Sequence, residues 1–128
     1  MCEVFITANP ESYESRTRSV RLHGVVTSIR LENLHWEVLA EIGARDGLSV
    51  VQLVEKLYDE LVQARGAVGN FASFLRVSAL RYMALQARQR IPTDLAVPIA
   101  SLNADAVLQD LPASWAQRVP ASPDAKRH

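Results

Sequence analysis

The first residues able to do chemistry stand at the start of the chain. If the initiating methionine is removed, Cys2 becomes an N-terminal residue with a thiol nucleophile beside a free amine base. Enzymes of that kind are built on two packed sheets from a much longer chain, with Gly-rich, Asn-bearing elements to hold an oxyanion. Those elements are missing from these 128 residues. No Ser/His/Asp arrangement, Gly-rich phosphate loop or carboxylate pair offers another reaction centre. His23 and His35 share no metal-ligand spacing with Cys2. The expectation is a protein that is not an enzyme and needs no metal or cofactor.

Arginine is the next chemically capable residue type, and its distribution is uneven. The chain has 14 basic and 14 acidic residues and no net charge, which by itself argues against a nucleic-acid partner. Yet residues 15–31 hold Arg16, Arg18, Arg21 and Arg30 with no acid, and residues 61–91 hold five arginines with no acid. Seven acids fall between them, over 32–60, against Arg45 and Lys56. Segregation of this kind permits a basic patch on a neutral molecule.

These residues must be positioned by a small framework. At 48% hydrophobic and 22% charged, the chain reads as one ordinary globular domain. No apolar run approaches the ~18–20 residues of a membrane span. A basic segment leading into an apolar one is missing from the start, so no secretory signal is read, and one cysteine allows no internal disulfide. The expected location is the cytoplasm.

Three parts follow. Residues 1–23 form an N-terminal arm, in which CEVFITA suits a short strand ended by Pro10 and RSVRL a second extended piece. Residues 24–91 are the patterned domain. Val26 to Leu31 alternates, with Thr27, Ile29 and Leu31 on one face and Val26, Ser28 and Arg30 on the other. Asn33 is the expected cap of a first helix that turns Trp36, Val38, Leu39 and Ile42 inward and stops at Gly47. Ser49-Val50-Val51-Gln52 matches a capping box and opens a second helix. That helix carries Val50, Val54, Leu57 and Leu61 as a stripe and ends at Gly66. A third runs from its cap Asn70 to Pro92. Residues 92–128 hold five of the six prolines; a short helical piece fits Asn103 to Leu111, and the last dozen residues are expected to be disordered.

A strand of alternating residues, a first helix, the turn Gly47-Leu48-Ser49 and a longer buried helix resemble the ribbon-helix-helix family of Arc and MetJ. The longer layout, with MCEVF at the start and GNFASFLRVSALRY in the third helix, resembles an extended bacterial subgroup of unknown target. The resemblance implies a mainly α fold with a short β-ribbon. It also implies an obligate homodimer whose ribbon pairs the strand with its copy in a second chain. Ile29, Leu31, Trp36, Leu39, Val54, Leu57 and Leu61 would then form the dimer core. It further implies double-stranded DNA as partner, bound sequence-specifically with the ribbon in the major groove, for bacterial transcriptional regulation. Val26, Ser28 and Arg30 would contact bases, although Val26 is less polar than the family's outward positions. Arg16, Arg18 and Arg21 would hold flanking phosphates, and the helix start at Ser49 and Val50 another.

Two other readings stay open. The alternating strand also fits an ordinary hairpin with Arg18–Leu22 inside one chain, with His23-Gly24 near the turn. In function, the rival is a protein-interaction module of antitoxin or plasmid-maintenance type, whose tail over 92–128 wraps a partner protein.

Overall fold

The computed structural model describes residues 2–117. Its organising element is a two-stranded antiparallel sheet, β1 (Ser15–Leu22) and β2 (Val25–Glu32), in register from Ser15 opposite Glu32 to Leu22 opposite Val25. His23 and Gly24 make the turn with φ of 50° and 81°. Two positive φ values in a two-residue loop define the type I′ hairpin, whose twist matches that of the strands. Glycine at the second position carries no steric cost there.

An antiparallel ribbon was the expectation, and one is present. The correction concerns its second strand. β2 takes β1 of the same chain as partner, rather than β2 of another copy. The physical case for an obligate dimer rested on a strand with no partner for its backbone, and the hairpin removes it. The residues expected as a dimer core form a core within the chain instead. Ile29, Leu31, Trp36, Leu39 and Val54 are buried, with Leu57 and Leu61 packed partly buried against them.

Four helices of note follow or precede the hairpin. α1 (Cys2–Ile6) replaces the short strand expected there. None of its residues is buried and it meets no sheet edge, so local bonding decides: the Thr7 N–H and hydroxyl both donate to the Glu3 carbonyl. α2 (Asn33–Arg45) begins directly after β2. Its cap position is Glu32, and Asn33 is the first helical residue; the Asn33 amide instead donates to the Glu11 carbonyl at 2.9 Å. α2 ends as expected before Gly47 (φ 72°). α3 (Val50–Arg65) carries the full capping box between Ser49 and Gln52, and Gly66 closes it with φ 82°. α4 (Phe71–Ala87) is capped by the Asn70 side chain. Gly43 permits the α2–α3 turn to close, since a Cβ there would stand 2.9 Å from the Leu48 carbonyl oxygen.

Residues 92–117 dock on this framework. Arg45, at the end of α2 and 6% exposed, donates to the carbonyls of Pro92, Asp94 and Val97 and to the Tyr82 hydroxyl. A second apolar cluster of Tyr82, Leu85 and Ile91 receives Ile99, Leu102, Val107 and Leu111. The last two come from and just after α5 (Ala104–Leu108). The expected disorder of the last dozen residues falls, except for Gln117, outside the described residues.

The hairpin assignment is directly testable. The Arg21 N–H points away from β2 to Glu55, so the Arg21–Val26 pair is not hydrogen-bonded, and by alternation neither is Ser19–Ser28. Such pairs hold Cα atoms about 4.5 Å apart, within disulfide range. In a Cys2→Ser background, Ser19→Cys with Ser28→Cys is expected to oxidise within single chains, read by mass spectrometry and non-reducing electrophoresis. Mainly disulfide-linked pairs of chains would contradict the register.

Candidate nucleic-acid interface

Alternation decides what the hairpin shows to solvent. On β2, Val26, Ser28 and Arg30 are exposed while Ile29 and Leu31 are buried, as read from the sequence. Directly opposite them on β1 stand Arg21, Ser19 and Thr17, all exposed. The outer face therefore pairs Arg21 with Val26, Ser19 with Ser28, and Thr17 with Arg30. It has a hydroxyl centre, a guanidinium at each of two diagonal corners, and no carboxylate. Among the described residues neither of those guanidiniums forms an ion pair. Thr17 and Ser19 escaped the sequence reading because the first half of β1 alternates polar with polar, and Val20 and Leu22 alone mark its inner face.

Three contacts hold this face in place. At the turn, His23 Nε2 lies 2.9 Å from the Asp59 carboxylate, and its ring meets Tyr58 edge-on, which meets Phe71 in turn. Along the β1 edge, the Arg21 N–H donates to Glu55 of α3 at 2.9 Å. Along the β2 edge, Arg76 of α4 donates from Nε to Glu32 at 2.8 Å and reaches the Arg30 carbonyl. Both edges are thus met by charged side chains, a common protection against pairing with stray strands.

Arg16 and Arg18 lie on the opposite side of the ribbon from Val26, Ser28 and Arg30. Arg18 lies half-buried, its guanidinium 5.4 Å from the centre of the Trp36 ring, and the Trp36 indole N–H donates to the Arg16 carbonyl at 2.9 Å. Both arginines line a recess of about 560 Å³ shared with Glu11 and Glu37. Two carboxylates beside two guanidiniums make that recess nearly neutral, a poor match for phosphate. Arg21, by contrast, joins the outer face.

Ser49 and Val50 open α3. The Ser49 N–H is satisfied by the Gln52 side chain at 2.8 Å and the Gln52 N–H by the Ser49 hydroxyl at 3.1 Å. The N–H groups of Val50 and Val51 have no intrahelical acceptor. Glu55 meets Arg21 and Asp59 meets His23, so α3 runs with β1 and its first turn lies toward the Ser19 end. Among the described residues no group of three His, Cys, Asp or Glu could hold a metal, and no helix is long and apolar enough to cross a membrane.

Comparison with known proteins adds two findings. The ribbon-helix-helix domain family matches residues 15–83, which takes in the hairpin, α2, α3 and most of α4. A solved structure, that of an uncharacterized protein from Bordetella pertussis Tohama I, superposes with a TM-score of 0.92 at 61% identity. The match covers 95% of this chain and 98% of that one. No curated protein matches the chain.

The clasp beside the ribbon has a pH signature. Glu32 is drawn from 4.5 to about 2, first by its hydrogen bond from Arg76, with its own backbone N–H and His35 adding to the effect and burial opposing it. A carboxyl depressed on folding stabilises the protein fully above its unfolded value near 4.5, and that contribution fades as pH falls toward 2. Wild type is therefore expected to exceed Glu32→Gln in urea midpoint at pH 6, with the gap closing between pH 4.5 and 2. A gap independent of pH would contradict the clasp.

Proposed function

The chain belongs to the ribbon-helix-helix family, and on that premise we propose that it reads double-stranded DNA with the outer face of its hairpin laid in the major groove. The observation that carries this reading is the face itself, with six exposed residues in register, three hydroxyls, no acid, and two guanidiniums that form no ion pair among the described residues. The major groove admits a two-stranded ribbon. Arg30 and Arg21 suit bidentate bonds to guanine O6 and N7, Ser19 and Ser28 serve several bases, and Val26 suits a thymine methyl. The first turn of α3, which opens at Ser49 and Val50, offers the N–H groups of Val50 and Val51 to a flanking phosphate and sets the ribbon's register on the duplex.

The length of the face bears on stoichiometry. From Thr17 to Arg21 the strand advances about 13 Å, or about 4 base pairs at 3.4 Å each. So short a reading frame recurs often in any genome. Two copies on half-sites about one helical turn apart would supply the missing specificity. We therefore propose a homodimer on its operator, acting as a cytoplasmic regulator of bacterial transcription. Kinship with the Bordetella protein supports the bacterial setting.

The rival reading, in which the tail wraps a partner protein, has less support. Its residues up to 117 are already engaged, by Arg45, by the cluster around Tyr82, and by Arg88 stacked 4.0 Å from the centre of the Trp115 ring. That docking supports a structural use.

Selection of a preferred duplex followed by fluorescence-anisotropy titration tests the proposal. Arg30→Ala and Arg21→Ala are each expected to cost about 1–3 kcal/mol of discrimination for the selected site. Arg16→Ala should leave the preference intact. Affinity should fall steeply with salt. Arg30→Ala binding the selected site as tightly and selectively as wild type would refute the assignment.

A further inference from the structure

α4 has apolar residues on the wrong side. Its inward face buries Phe71, Leu75, Ala79, Tyr82 and Leu85. At helical spacing the solvent side is made by Val77, Leu80, Ala84 and Ala87, with Met83 beside them. Val77 is 52% exposed, Leu80 67% and Met83 49%. A helix apolar all round is ordinarily buried all round, whereas a surface helix turns charged residues outward. A contiguous apolar strip of this kind marks an interaction site.

The surroundings of the strip identify its occupant. One shallow recess of about 290 Å³ lies between Leu80, Ala84 and Trp115, and another of about 360 Å³ between Val77, Phe74 and Leu108. Both sit at or below the low end of small-molecule pockets and suit protruding side chains. Arg81 lines both, and Arg65 lines the second; neither recess contains an acid. Arg81 makes no hydrogen bond or ion pair among the described residues. Among the described residues Arg65 donates only to a carbonyl and Arg88 lies over Trp115, so neither cation meets a carboxylate there. A second copy of α4 would bring the same apolar strip and the same arginines, with no carboxylate to answer them. The chain's own residues 118–128 carry Arg118, Lys126 and Arg127 against Asp124, with Val119 the single large aliphatic side chain. They complement the strip poorly on both counts.

We infer that the outer face of α4 docks an amphipathic helix of a partner protein, with aliphatic side chains on its inner face and carboxylates on its flanks that pair with Arg81 and Arg65. In this mode a helix lays its apolar face along a groove and is read through anchors one turn apart. The inference is independent of the DNA reading, since the strip and the hairpin's outer face share no residue. It would give a DNA-bound regulator a second surface for a protein.

The test uses the full-length protein and a fluorescein-labelled synthetic helix with leucines on one face and glutamates on its flanks. A second peptide with lysine in place of each glutamate, and a third with the leucines scrambled, serve as comparisons. The glutamate peptide is expected to bind at least about tenfold more tightly than either. Leu80→Glu, at an exposed position that should not affect folding, should abolish binding, and Arg81→Glu should reverse the preference toward the lysine peptide. Arg30→Ala should change nothing here, which separates failure of this inference from failure of the DNA reading. Equal binding of the glutamate and lysine peptides, or no binding at millimolar peptide, would overturn it. So would self-association of the free protein in sedimentation that Leu80→Glu abolishes, since the strip would then belong to a second copy.

Discussion

The pairing of β1 with β2 is the constraint on which the rest depends. Once His23 and Gly24 turn the chain back with both φ values positive, the register follows, and with it the face taken by every side chain from Ser15 to Glu32. A slip of one residue would exchange Ile29 and Leu31 for Ser28 and Arg30 in the core. The buried side of that register is what α2, α3 and α4 close over. The exposed side is what is left to meet a ligand. In this family member a single chain builds the whole ribbon, so its exposed face forms on folding rather than on association.

The acidic residues explain how a chain of zero net charge keeps that surface cationic. Glu32 is engaged by Arg76 and His35, Glu55 by the Arg21 N–H, Asp59 by His23, and Glu41 by the Tyr82 hydroxyl. Burial pushes the Tyr82 hydroxyl up, so it stays neutral and can donate to Glu41. The acids of residues 32–60 that contact the hairpin therefore meet it along its edges and turn, not on its outer face. Among the described residues Arg21 and Arg30 remain unopposed. A local excess of positive charge of this kind governs association with DNA more than the sum over the chain does.

Much of this was legible from residue type and spacing. The inward and outward sets of β2, the box at Ser49 and Gln52, the cap at Asn70, and the stops at Gly47 and Gly66 each follow from a local rule, and each is where the rule puts it. What escaped depends on contacts distant in sequence. SRTRSVRL has apolar residues only at Val20 and Leu22, because farther along the inner face is held by Arg18, whose guanidinium lies over the Trp36 ring. Its alternation therefore marks the inward side with two residues alone, too short a signal to stand out. Arg45 is buried because carbonyls some fifty residues away surround it, and nothing near it in sequence announces them. Cys2–Ile6 has the apolar residues of a strand but no edge to join. The apolar outer side of α4 was hidden too, since residue type alone does not show that Val77 and Met83 lie on the face the core leaves uncovered.

The place where DNA touches the protein is the most direct test of a role for the hairpin's outer face. Amide chemical shifts of the isotope-labelled chain, followed as its selected duplex is added, would map that surface residue by residue. The largest changes are expected at Thr17, Ser19, Arg21, Val26, Ser28 and Arg30, with smaller ones at Ser49 and Val50. Changes concentrated on α4 or around Arg16, Arg18 and Trp36, with the outer face of the hairpin unmoved, would contradict that role.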